Sequence, residues 1–157
     1  MHGLQYSPLK ELKKFLASNN EIVKVEHLDK LRQLQELDLS KNKIRAIETS
    51  SFAPHLQIIS LRLDENGLRS LANIERLPNL QTLSIASNRI SEFHELEKLV
   101  ELPHLLELSL ASNPITRKPN YRMAVVKRLM QLVIFDNREV TMDERKRFEG
   151  VGGVIVD

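Results

Sequence analysis

One spacing of side chains recurs along this chain and limits what it can fold into. In LQELDLSKNKI, residues 34–44, Leu34, Leu37, Leu39, Asn42 and Ile44 stand at offsets 0, 3, 5, 8 and 10. The same offsets hold Ile58, Leu61, Leu63, Asn66 and Leu68, then Leu80, Leu83, Ile85, Asn88 and Ile90, then Leu105, Leu108, Leu110, Asn113 and Ile115. A weaker copy runs Leu12, Phe15, Ala17, Asn20, Ile22, and a partial one reads Leu129, Leu132, Ile134, Asn137. Successive asparagines lie 22, 24, 22, 25 and 24 residues apart. The pattern is neither helical nor strictly alternating. A unit this short cannot bury its apolar side chains alone, so the copies must stack as coils around a shared aliphatic column.

Within a copy, offsets 3 and 5 share one side of a short strand, and stacked strands form a parallel sheet. Between strands the apolar residues come every three, as in Val25, Leu28, Leu31 and Leu71, Ile74, Leu77. A return segment of 3₁₀ or short helix turns them all inward. The longer stretch 92–103 reads as a true helical turn with Phe93, Leu96, Leu99 and Val100 on one face. The asparagine sits at the bend after the strand. Its amide both donates to and accepts from backbone groups that burial would otherwise orphan, at about 1–3 kcal/mol each. Asn20, Asn42, Asn66, Asn88 and Asn113 are therefore read as structural fasteners.

Past residue 116 the period breaks. Tyr121, Val125, Leu129 and Leu132 share a helical face, which predicts a helix over about residues 120–130, followed by a strand-like QLVIFD. Thr141 and Glu144 form a T-x-x-E capping box ahead of a polar helix. The repeats resemble the leucine-rich repeats of the 22-residue phosphatase-1-regulator class, whose members include dynein light chains and spliceosomal-particle subunits. The segment NYRMAVVKRLMQLVIFDNREVTMDERKRF resembles the C-terminal cap of such proteins, through Tyr121, Arg122, Leu132, Asp136, Val140, Thr141, Glu144 and Arg145. The resemblance implies structural roles for Tyr121 and Asp136. Met130 stands where the family usually has Pro, which leads us to expect a slightly longer helix, and Phe135 replaces a usual Leu. The expected architecture is one α/β leucine-rich-repeat solenoid over residues 1–157, with repeats over about 12–116 and a helical cap over about 117–149. It would have a parallel concave sheet of about six short strands and a 3₁₀ or helical convex side. MHGLQYSPLKEL is no recognisable cap, so either a short irregular segment covers that edge or earlier repeats precede it, the second being the favoured expectation.

Composition narrows the function. There is no cysteine, so thiolate metal sites, disulfides and a cysteine nucleophile are excluded. The five histidines lie in return segments or at the terminus, none spaced as a metal pair on one helix. No phosphate-binding or nucleophile-elbow motif occurs, no apolar run reaches membrane-spanning length, and a net charge of +2 offers no bulk argument for nucleic acid or membrane. A non-catalytic chain without cofactors or metal is expected. The absence of cysteine and of a signal-peptide core suggests an intracellular, reducing setting. Together with the resemblance it gives a cytoplasmic expectation, with cilium or cytoskeleton as particular sites.

That leaves protein binding. Offsets 2, 4 and 6 point away from the core on the concave side. They carry Lys14 and Arg62 against Glu36, Asp38, Asp64 and Glu107, and two minus four gives −2. Acids cluster in the second and third copies, small residues such as Ser84 and Ser109 follow, and the partial copy offers Val133 and Phe135 as an apolar flank. Six strands about 4.8 Å apart offer only about 300 Å², less than the roughly 800 Å² per partner of a standard interface. The partner must therefore also touch the turns after the strands. The candidate binding residues are Leu16, Glu36, Asp38, Arg62, Asp64, Glu65, Ser84, Arg89, Ser109 and Phe135. The resemblance implies a folded protein partner: a small GTPase, a phosphatase catalytic subunit, or a dynein, tubulin or other ciliary component. A spliceosomal ribonucleoprotein scaffold is the alternative. The cap end is basic, but one aromatic on the concave face is too few for stacking RNA bases directly.

Overall fold

The computed structural model describes residues 8–150. Seven strands form one sheet in sequence order: β1 (Lys14–Leu16), β2 (Glu36–Asp38), β3 (Ser60–Arg62), β4 (Thr82–Ser84), β5 (Glu107–Ser109), β6 (Ile134–Phe135) and β7 (Arg138–Glu139). All pairings are parallel except the last, where β6 and β7 make an antiparallel hairpin. The hairpin is why the count is seven and not six. Each parallel strand has its middle residue in line with its neighbours', so Leu37, Leu61, Leu83 and Leu108 make one row through the core, which Phe15 continues at the open end with its side chain partly exposed.

The return segments are short because three residues per turn suffice to bring every apolar position inward. Ile74–Arg76, Phe93–Leu96 and Pro114–Arg117 are 3₁₀ helices, and α1 (Glu97–Val100) continues the second of them. Leu71, Ile74, Leu77, Leu96 and Leu99 are wholly buried. On the long return, Phe93 lies between two cations, Lys118 at 5.3 Å and Arg128 at 5.2 Å from its ring centre, which ties this convex segment to the cap.

The asparagines bond from coil to coil. Asn88 Nδ2 donates to the carbonyls of Leu63 (2.9 Å) and Ile85 (3.0 Å), while its Oδ1 accepts the N–H of Leu68 (3.0 Å). Asn42, Asn66 and Asn113 repeat the arrangement. Asn20 donates only within its own turn, to Ala17 and Ser18, and is exposed. The residue before each asparagine adopts positive φ: Asn19, Lys41, Glu65, Ser87 and Ser112 lie between 55° and 60° except Glu65 at 53°. That turn aims the backbone N–H of Asn19, Lys41, Glu65 and Ser87 at a carbonyl of the following coil, at 2.8–2.9 Å.

The cap departs from the sequence reading in three ways. The helix α2 is Tyr121–Arg128; it stops at Leu129 (φ −108°, ψ 79°), so Met130 does not lengthen it and is instead exposed. The last partial copy is also displaced. Leu108 aligns with Phe135, 27 residues on, not with Leu132 at 24. The true counterparts of Leu105 and Leu108 are therefore Leu132 and Phe135, both buried, and Asn137 is an exposed hairpin residue at φ 61° and no fastener. The cause is α2 itself: an eight-residue helix occupies more chain than a 3₁₀ return. An odd displacement also swaps which side chains face the core.

The helix α3 (Met142–Glu149) starts at Thr141, whose Oγ1 accepts the N–H of Glu144 at 3.1 Å. The Glu144 carboxylate reaches back to the main chain of Thr141, closing the box, and also pairs with Arg122 of α2. Arg122 also donates to the carbonyls of Phe135 and Glu139, and Arg145 donates to those of Val126 and Leu132. Two guanidinium groups thus satisfy main-chain acceptors at the end of α2 and in the hairpin. Among the described residues no helix is long and apolar enough to cross a membrane.

Candidate protein-docking surface

The strand pairing places the outward side chains in two rows. One runs Lys14, Glu36, Ser60, Thr82, Glu107, Ile134; the other runs Leu16, Asp38, Arg62, Ser84, Ser109. Adjacent rungs are close enough for cross-strand pairs, and Lys14 Nζ meets Glu36 Oε2 at 2.9 Å.

Local hydrogen bonds orient the acids. Asp38 Oδ1 accepts the N–H of Ser40 at 2.9 Å. Asp64 Oδ1 accepts both the Ser84 hydroxyl (2.6 Å) and the Ala86 N–H (2.8 Å), and its other oxygen lies 3.6 Å from Arg62. Asp64 is thus anchored on two coils at once, while Glu36 and Glu65 stay exposed. Two shallow depressions, of about 450 and 560 Å³, share Asp38 and Arg62 as a common wall. One reaches back to Leu16 and Lys14; the other reaches the turn residues Lys41 and Glu65. The floor and the turn ridge are therefore one continuous, mildly acidic surface, with Glu36, Asp38, Asp64 and Glu65 against Lys14, Lys41 and Arg62.

The sheet brings together Leu16, Glu36, Asp38, Arg62, Asp64, Ser84 and Ser109 on one face, and the turn after it carries Glu65. Arg89 is exposed one residue beyond Asn88. Phe135 does not belong: it is wholly buried, in line with Leu108, with its ring centre 5.4 Å from that of Tyr121. Ile134 takes the outward place beside Glu107. Val133 is exposed but sits at the leading rim of the strands, where its N–H donates to Leu106. The apolar flank expected at the cap edge is thus Ile134 alone, and the larger exposed apolar group is Leu16 at the opposite end. A 27-residue match of Leu102, Leu105 and Leu108 to Leu129, Leu132 and Phe135 was the signal that would have placed Ile134.

Below the face, Tyr121 donates its hydroxyl to Asp136 Oδ2 at 2.7 Å, and Asp136 Oδ1 accepts the N–H of Leu110 at 2.7 Å. Burial, reinforced by the Asp136 carboxylate, pushes the Tyr121 phenol far above its ordinary range, so it stays a donor. Among the described residues no group of acids and histidines is arranged to hold a metal ion.

A solenoid with fastened coils, a sealed helical cap and an open concave sheet defines a protein-interaction module. The chain belongs to the leucine-rich repeat family, whose sequence profile matches residues 21–151. It is 35% identical over 152 residues to the U2 small nuclear ribonucleoprotein A' of Schizosaccharomyces pombe, covering 95% of this chain and 62% of that protein. It is 32% identical over 127 residues to a probable U2 small nuclear ribonucleoprotein A' of Caenorhabditis elegans, covering 77% and 49%. The crystal structure of the Drosophila melanogaster SNF/U2A' complex contains a similar chain, with a TM-score of 0.76 and 28% identity over 87% of this chain and 78% of that one. This chain spans about half of the curated relatives it matches, 49% and 62% for the two above. These relatives are small nuclear ribonucleoproteins, which overturns the expectation of a cytoplasmic, ciliary or cytoskeletal location.

Proposed function

We propose that this chain is a non-catalytic scaffold subunit of a ribonucleoprotein particle, holding a folded protein partner on its concave face and adjoining turns. The observation that carries the reading is the mildly acidic face, continuous from Leu16 to Glu65, whose acids Asp38 and Asp64 are oriented by internal hydrogen bonds. Proteins that bind RNA are commonly basic, and opposite surface potential steers such partners and fixes their register. The likeness to a U2A' chain solved in complex with SNF supports a protein ligand of this kind. The alternative raised by the sequence is thus preferred to its main reading. A small GTPase, a phosphatase and a dynein component have no counterpart among the three relatives described above.

The test is titration of the partner protein SNF, with and without its RNA, against wild type and Glu36→Lys/Glu107→Lys. Both side chains lie in one outward row, and the ion pair that Glu36 makes with Lys14 is exposed, so its loss costs the fold little. Expected is at least about a tenfold loss of affinity, shrinking at high salt as Debye screening sets in. Equal affinity for the two proteins, with equal melting temperatures, removes the acidic face from the interface.

A further inference from the structure

A second surface lies on the leading rim of the sheet, opposite the turns that carry the positive-φ residues. Just before the first apolar residue of successive coils stand Gln33, Gln57, Asn79, His104 and Gln131, all hydrogen-bonding side chains and none a carboxylate, lysine or arginine. The row becomes complete only with the structural register, since Gln131 precedes Leu132, the true counterpart of Leu105. Beside it the main chain lays a second row. The N–H of Ile59 donates to Gln35, Gln81 to Ile59, Leu106 to Gln81 and Val133 to Leu106, each at 2.8–2.9 Å. Gln35, Gln57, Ile59, Asn79, Gln81 and His104 line a groove of about 570 Å³. No carboxylate, lysine or arginine lines it, on a chain in which 28% of residues are charged.

One member of the row shows what such an amide does when a main chain is in reach. Gln131 Nε2 donates to the carbonyls of Leu99 (3.2 Å) and Leu102 (3.1 Å). The amides of Gln35, Gln57, Asn79 and Gln81 are exposed and have no partner among the described residues. Each brings two N–H donors and an acceptor oxygen. Nucleic acid is held first by lysine and arginine on its phosphates, and the groove has neither. A helix has already paired its own main-chain groups. An extended segment displays both its N–H and C=O groups.

We propose that this rim binds an extended, weakly charged segment of a partner polypeptide through its backbone, with Ile59 and Leu106 receiving apolar side chains. The inference is independent of the reading of the concave face. It is tested by selecting displayed peptides of about seven to twelve residues, long enough at about 3.3 Å per residue to cross the coils. The target is the full chain, with the Gln57→Ala/Gln81→Ala variant in solution as competitor. Expected are peptides that bind wild type at least about tenfold more tightly than the variant, as loss of two or more hydrogen bonds dictates. They shift the side-chain amide resonances of Gln57, Asn79 and Gln81, and they lose affinity when their backbone is N-methylated, while both proteins melt alike. The proposal is overturned if no peptide distinguishes the two proteins, if N-methylation has no effect, or if oligouridylate of similar length shifts the same resonances as strongly.

Discussion

The side-chain oxygen of Asn66 accepts the main-chain N–H of Ile44 at 3.0 Å, one coil back, while its amide nitrogen donates to Leu39 at 3.0 Å in that same preceding coil. The same nitrogen donates to Leu63 of its own coil at 3.0 Å, so one side chain closes main-chain groups on both sides of a coil boundary. The equivalent Asn88 is almost fully buried. Truncating Asn88→Ala leaves buried carbonyls and an N–H without partners and should cost about 3–5 kcal/mol. Asn20→Ala, exposed and bonded only within its own turn, should cost under about 1 kcal/mol. Urea unfolding of the two variants compares them directly, and equal losses would contradict the fastener role.

Glu65 stands at φ 53° with an exposed side chain. Glycine there removes a left-handed penalty of about 1–2 kcal/mol, offset in part by its extra freedom when unfolded. Glu65→Gly should therefore match or slightly exceed wild type in stability, whereas the β-branched Glu65→Val should lose about 1–2 kcal/mol. Thermal melts decide it; a stable valine variant would show that the turn relaxes.

Arg122, hydrogen-bonded to Glu144, holds that carboxyl below its ordinary value of 4.5. The folded cap therefore binds this proton more weakly than the unfolded chain does. Its contribution is present above the unfolded value and is lost as pH falls through the lower folded one. Glu144→Gln removes that titration. Between about pH 5 and about pH 3, wild type should lose more stability than the variant. Unfolding curves with the same slope against pH would show that the pair contributes nothing to acid sensitivity.

Phe135 and Leu16 separate core from surface. Phe135 is wholly buried against Tyr121, so Phe135→Ala should cost about 3–5 kcal/mol. Leu16 is 61% exposed, so Leu16→Ala should stay within about 0.5 kcal/mol of wild type and alter only partner affinity. Calorimetry and binding of the two variants check the contrast; a mild phenotype for Phe135→Ala would restore it to the surface.

The coil fold was legible in the residues because stacking leaves no alternative for a five-point spacing repeated at 22 to 25 residues. The outward acids followed from the same periodicity, as strand geometry alternates faces. Three things were not legible. The cap register hid because α2 lengthens the last return, and one odd step carries Phe135 inward and Ile134 outward. The anchoring of Asp64 by Ser84 and Ala86 joins groups 20 and 22 residues apart across coils, which no local pattern encodes. The pairing of Glu144 with Arg122, in addition to its capping box, required two helices to meet.

The amino-acid order alone therefore determined the repeat, the aliphatic column and its asparagine seams, because each is set by offsets within a coil and by the cost of orphaned backbone groups. Only the tertiary structure decided where the last coil begins, which side chains seal it, and which acids are held by hydrogen bonds. Those outcomes depend on how far apart in sequence two groups lie when folding makes them neighbours, and a helix of eight residues in place of a tighter return is enough to change them.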